Sequence, residues 1–152
     1  MNKQELIEAF AFVYKADNYP PIAGKILGLF LISDEKHFTF EDIMTNINAS
    51  KSATSKALKF LIDLDEVSFM FSEKNKRKRL FYFNSKGVVK RFEKIIEAHT
   101  IETVLLKEVL ENRNDDNEEM NKLIKNTIAF NEDILDFITK KVTKHFKTEY
   151  KN

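Results

Sequence analysis

Two helical patterns, a short break and two β-prone runs around a cationic tip all fall between Thr39 and Phe83, and few folds accommodate that order. Phe40, Ile43, Met44 and Ile47 carry the first helical pattern, which breaks at Asn48-Ala49. A second begins at Ser50, where Thr54, Ala57, Leu58, Leu61 and Leu64 fall at i, i+3, i+4, i+7 and i+10 and make one apolar stripe. Ser52, Ser55, Lys56 and Lys59 fall on the opposite face. Val67 to Phe71 and Leu80 to Phe83 are then two β-prone runs on either side of the polar and basic segment Ser72 to Arg79, which reads as a hairpin. Helix, tight turn, helix and basic hairpin is the plan of a winged helix-turn-helix, whose second helix enters the DNA major groove. Duplex DNA is therefore the expected partner.

A formal net charge of +1 over the chain does not by itself suggest a polyanion. The distribution does. From Ser50 to Lys86 there are nine basic residues (Lys51, Lys56, Lys59, Lys74, Lys76, Arg77, Lys78, Arg79, Lys86) against four acidic (Asp63, Asp65, Glu66, Glu73), a local +5, so the remainder sums to −4. Such asymmetry fits one surface that meets DNA and another that does not. The length of 152 residues suits a single domain with a substantial core, and a hydrophobic fraction of 43% with 32% charged residues indicates a folded, water-soluble chain. Only three Gly and two Pro favour helices. No cysteine is present, which excludes a disulfide framework, a thiolate metal site and a cysteine nucleophile. Met1 to Glu5 lacks the apolar stretch of a signal peptide, and the most apolar window, Ile26 to Ile32, is far below the roughly 20 residues that span a bilayer. A cytoplasmic protein without membrane association is expected.

In chain order, Asn2 or Lys3 to about Lys15 reads as a helix with Leu6, Ile7, Phe10, Val13 and Tyr14 on one face and Ala9, Ala11 and Phe12 filling much of the rest. A helix apolar nearly all round needs more than one cover, so it is expected to pack against its own domain and a partner subunit. Asp17 to Pro21 ends it, and Pro21 suits the first turn of the next helix, Ile22 to about Ile32. Gly24 and Gly28, four apart, leave a groove for close helix packing. His37-Phe38-Thr39 is expected to pair with the hairpin, Thr39 to Asp42 resembles a capping box, and Ser50 is a strong N-cap. Asp65 stands where a C-terminal Gly would be expected. From Ser85, another N-cap, a helix runs to about Asn112, and after the loop Asn112 to Asn117 a last helix runs from about Glu118 to Phe146. At 1.5 Å per residue these are each roughly 40 Å long, longer than a winged-helix unit can cover. Dimerisation through the first and last helices is the economical solution. The expected fold is mainly α with a small β-wing: a winged helix-turn-helix over about 21–85 plus a helical dimerisation region from 2–17 and 86–148, in one domain.

The arrangement resembles the MarR superfamily of winged-helix transcriptional regulators. Pro21-Ile22-Ala23-Gly24-Lys25-Ile26-Leu27-Gly28, followed by Leu31-Ile32-Ser33-Asp34, looks like the signature of its GbsR-like branch, Pro-x-Ala-Gly-Arg-Ile-x-Gly, with Lys25 in place of Arg. Ala49 to Leu58 is similar to the family's recognition helix, commonly Ile-Ser-Lys-Ser-x-Val-Ser-x-x-Leu, while Asp65 departs from the family's usual Gly. The similarity covers about Asn2 to Ser85. It implies a homodimeric regulator, and some members respond to choline or glycine betaine, so a small-molecule effector is implied too.

For the recognition helix, Ser52, Ser55 and Lys56 are the candidates for base edges, since Lys donates to guanine O6 or N7 and Ser pairs with several bases. Lys51 and Lys59 flank them and suit phosphates. In the wing, Lys74, Lys76, Arg77, Lys78 and Arg79 form the second candidate site, with Lys76 and Arg77 nearest the tip and expected on backbone or minor groove. Tyr14, Tyr19, Phe10 and Phe12 could contribute to an aromatic cage for a quaternary ammonium ligand. His37, His99 and His145 lack metal-ligand spacing, and no catalytic constellation is present, so neither a metal, a cofactor nor an enzymatic activity is expected. The alternative from another functional class is a winged-helix protein-interaction module whose basic hairpin grips an acidic partner.

Overall fold

The computed structural model describes residues 1–146; the last two positions of the expected helical region, 147 and 148, lie outside the described residues. The elements run α1 (Lys3–Lys15), α2 (Pro21–Ile32), β1 (Phe38–Thr39), α3 (Phe40–Ile47), α4 (Lys51–Asp63), β2 (Val67–Phe71), β3 (Arg79–Phe83), α5 (Lys86–Glu111) and α6 (Glu118–His145). The chain divides into two compact units, Met1–Val88 and a second that begins at Val89.

In the first unit α2 starts on Pro21 without a side-chain cap, and the starts of α1, α3 and α4 are set by side-chain caps. Asn2 and Glu5 form a capping box at α1, Thr39 and Asp42 another at α3, and the Ser50 hydroxyl accepts from the Ala53 N–H at α4. The ends of α1, α3 and α4 share one device, while α2 ends on the extended Ser33. Asn18, Asn48 and Asp65 have φ of 61°, 50° and 56°, the left-handed region. After α1 the Tyr19 N–H donates to the Tyr14 carbonyl and Asn18 to Lys15. After α3 Ala49 donates to Met44 and Asn48 to Thr45, and after α4 Glu66 donates to Leu61 and Asp65 to Ile62. These paired bonds are Schellman motifs. Asn and Asp enter the left-handed region at lower cost than other non-glycine residues, which lets a chain with three glycines end its helices sharply.

The glycines serve close approach instead. A Cβ on Gly24 would lie 2.8 Å from the Ala11 Cα, and one on Gly28 would lie 2.9 Å from the Phe10 Cβ, so α1 and α2 touch backbone to backbone along that groove. Lys25 ties the pair at the surface, its Nζ donating to Glu8 Oε1 at 2.6 Å. Glu8 is held below its ordinary range chiefly by that hydrogen bond. The core beneath consists of Ile7, Ile26, Leu27, Leu29, Ile43, Ile47, Leu58, Leu61, Val67 and Phe81, all nearly excluded from water. The small antiparallel sheet has the order β1-β3-β2, with Phe38 opposite Phe81 and Val67 opposite Phe83. Phe10, Tyr14, Tyr19 and Phe60 form a ladder of rings with successive centroids 6.3, 5.4 and 5.3 Å apart. Tyr14 and Tyr19 are buried in it while Phe12 is 78% exposed, so Phe10, Phe12, Tyr14 and Tyr19 do not enclose an open cage.

In the second unit, α5 and α6 are joined side chain to side chain. Phe92 stacks on Phe146, Lys107 pairs with Glu132 at 2.5 Å, and the Asn131 amide donates to Glu102. Arg113 donates to the Asn121 carbonyl oxygen, and the Asn121 amide donates in turn to the Asn114 backbone oxygen, which closes the connecting loop. Ile124, Ile128 and Val142 are buried, but Ile101, Val104, Leu105, Leu123, Phe130 and Phe137 are each more than half exposed.

Candidate nucleic-acid interface

Helix α4 is held by its inner face. Thr54, Ala57, Leu58 and Leu61 are buried, and the otherwise unsatisfied hydroxyl of Thr54 donates to the Ser50 carbonyl at 2.9 Å. With that face fixed, 3.6-residue periodicity directs Lys51, Ser52, Ser55, Lys56 and Lys59 outward, and all five are exposed. Lys59 forms an ion pair with Asp63 one turn on, at 2.9 Å. Both partners are well exposed, so the pair contributes little and leaves Lys59 free to exchange it for a phosphate.

The wing is a tight hairpin. The Ser72 N–H donates to the Lys78 carbonyl, the Lys78 N–H donates to the Asn75 carbonyl, and the Asn75 side chain accepts from the Arg77 N–H. Lys76 and Arg77 occupy the two central positions of this turn, with Lys74 just before it. Arg79 lies elsewhere: it is the first residue of β3, paired with Phe71, and belongs to the strand and not to the tip.

Helix and wing meet in an open depression lined by Phe40, Glu41, Lys51, Ser55, Arg77, Lys78 and Arg79. A second one, lined by Phe40, Ser55, Leu58, Lys59, Ile62, Asp63, Arg79 and Phe81, continues along α4. The cationic groups of two elements more than twenty residues apart are thus brought to one concave surface. Ser52, Lys56, Lys74 and Lys76 stand on exposed surface outside both depressions. Asp42, at the start of α3, is held below its ordinary range first by the Thr39 hydroxyl, then by the Thr39 N–H, with a smaller contribution from the charge of Lys78. Glu41 on the rim and Phe69 beneath Arg79 belong to this surface and are not evident from the sequence pattern, because each depends on how the sheet seats against α3 and α4.

Among the described residues no group of His, Cys, Asp or Glu is placed to hold a metal ion, and no helix is long and apolar enough to cross a membrane.

No protein-family model matches the chain, and no curated protein does. A crystal structure of a transcriptional regulator does match in three dimensions, with a TM-score of 0.64 over 95% of this chain and 98% of that one at 16% identity. The fold is a winged helix-turn-helix. The winged helix is also matched, less closely, by a MepR variant from S. aureus bound to an oligodeoxyribonucleotide (15% identity, 82% of this chain and 88% of that one, TM-score 0.46). Wild-type MarR from E. coli in its apo form matches at 16% identity over 83% and 88%, with a TM-score of 0.45.

Proposed function

We propose that this winged helix serves a MarR-like transcriptional regulator that binds duplex DNA as a homodimer. The observation that carries the reading is the shared depression, in which Lys51 and Ser55 of α4 face Arg77, Lys78 and Arg79 of the wing. In this reading Ser52, Ser55 and Lys56 meet base edges in the major groove, while Lys51, Lys59 and the wing residues Lys74, Lys76, Arg77, Lys78 and Arg79 meet the backbone. Segments 2–17 and 86–148 form the dimerisation region flanking the DNA-binding segment 21–85, and two recognition helices then sit about 34 Å apart over an inverted repeat. The exposed apolar side chains of α5 and α6 support association. The signature in Pro21 to Gly28, with its packing role for Gly24 and Gly28, supports the GbsR-like branch. A small-molecule effector goes with that branch, as does a cytoplasmic location without any catalytic role.

The test is selection of bound fragments from random duplex DNA by the purified protein at physiological salt. Enrichment of an inverted repeat is expected. Recovery of no preferred sequence would remove the specific-regulator reading and leave the basic wing to an acidic protein partner.

A further inference from the structure

Arg79 differs from the other cations of the wing in being already oriented. Its guanidinium carbon lies 5.2 Å from the centroid of the Phe69 ring and 5.2 Å from that of Phe81. The two rings are register partners on adjacent strands with centroids 5.9 Å apart, so they form one bed on a single face of the hairpin. Phe81 is fully buried and fixed by the core, whereas Phe69 is 37% exposed on the edge strand, braced edge-on by Phe71 at 5.8 Å. The residues common to both depressions are Phe40, Ser55 and Arg79, which puts the guanidinium on the ridge between them, opposite the recognition helix. A guanidinium whose face rests on rings keeps its fork of N–H donors free at the edge, and that fork matches two phosphate oxygens. Ordering it in advance lowers the entropy lost on binding.

Resting on the DNA-binding reading above, we infer that Phe69 is a positioning residue that holds Arg79 on a single DNA phosphate at the seam between recognition helix and wing. The turn cations Lys74, Lys76 and Arg77 have no such bed among the ring contacts of the described residues and act as diffuse charge. The experiment is duplex binding by the intact chain across a series of salt concentrations, with melting curves as the control for folding. Phe69→Leu is expected to weaken binding about three- to tenfold and to lower the salt slope by about one phosphate contact, while Phe69→Tyr retains wild-type behaviour. Arg79→Lys, which preserves the charge and perturbs only an exposed side chain, is expected to lose a similar factor. On an Arg79→Ala background, Phe69→Leu is expected to add nothing. Equal losses from Phe69→Leu with and without Arg79, or full affinity in Arg79→Lys, would overturn the inference. Absence of duplex binding by the wild-type chain at low salt would overturn the functional reading itself, and the wild-type control registers that separately.

Discussion

The first compact unit encloses Ile7, Ile26, Leu27, Ile43, Ile47, Leu61 and Phe81 almost completely, whereas the α5–α6 unit leaves Ile101, Val104, Leu105, Phe130 and Phe137 more than half exposed. The difference is architectural. Three layers of contact (α1 on α2, α2 on α3 and α4, and the sheet beneath) give residues 1–88 an inside, while a pair of helices has one seam and excludes water only along it. That seam is also partly polar, with Thr103, Asn121 and Asn131 buried and hydrogen-bonded within it. Substitutions in the first unit should therefore act on folding whatever the protein concentration. Substitutions on the open face of the second should act on association.

The largest effect is expected at Gly87. A Cβ there would lie 2.4 Å from the Glu66 Cγ, 2.6 Å from its Cα and 2.8 Å from the Asp65 carbonyl oxygen. Two of those atoms are backbone and cannot rotate away. Gly87→Ala should cost about 3 kcal/mol, the upper end for overpacking, in denaturant unfolding. The cost should be independent of protein concentration. Phe130→Ser makes the opposite case: 61% exposed, it has little to lose inside its own chain. In the proposed dimer, removal of an aromatic anchor from the interface should cost roughly 2 kcal/mol, about thirtyfold in the dissociation constant, readable by sedimentation. An unchanged association constant would break the comparison, because the open face would then need another cover.

Next in size are the DNA contacts proposed for the first unit, whose loss should leave assembly untouched. Lys56→Ala is expected to relax sequence preference, and Arg77→Ala to weaken all duplexes about tenfold without changing their ranking, each loss near 1.4 kcal/mol in binding assays. If Arg77→Ala altered the ranking instead, the wing would be reading sequence and the division between helix and wing would need revising.

The elements themselves were legible because each had a local cause. The capping box at Thr39, the Ser50 cap and Pro21 opening α2 all follow from residue types within a few positions, and the pairing of Phe38-Thr39 with the hairpin follows from their β-prone types, whereas the capping box at Asn2 emerges only in the structure. Gly24 and Gly28 could be read as a packing groove from spacing alone. Arg79 was harder. It stands last in an unbroken basic run, and only the hairpin register, which pairs it with Phe71, removes it from the tip and sets it over Phe69. Gly87 carries no signal in the pattern, since its cause is the corner at Asp65-Glu66, some twenty residues away. The helix ends were half legible: Asp65 reads as an anomaly if Gly is the expected residue, and as one of three equivalent left-handed caps once Asn18 and Asn48 are seen beside it. Asn48→Gly should accordingly stabilise the first unit by ~0.5–1 kcal/mol, the left-handed penalty relieved less the added freedom of the unfolded chain.

The smallest effect separates charge from geometry within the first unit. The folded-state pKa of Asp42 is lowered, chiefly by the Thr39 hydroxyl and then by the Thr39 N–H, which its Oδ2 accepts at 2.7 and 3.0 Å. A depressed carboxylate pKa means the folded state binds the proton less readily than the unfolded chain does, so the contribution is present above the unfolded value of about 3.9 and fades as pH falls through the lower folded one. Asp42 is exposed, and solvent screening keeps the contribution near the low end for a helix cap, about 0.5 kcal/mol. Asp42→Asn retains an acceptor for the cap but cannot ionise. Its stability should lie about 0.5 kcal/mol below wild type at neutral pH, with the gap closing as pH falls below about 3.9. The same gap should appear in a Phe130→Ser background, since it arises within the first unit. A difference that persisted at pH 2 would mean that Asp42 stabilises α3 through the shape of the cap and not through its charge.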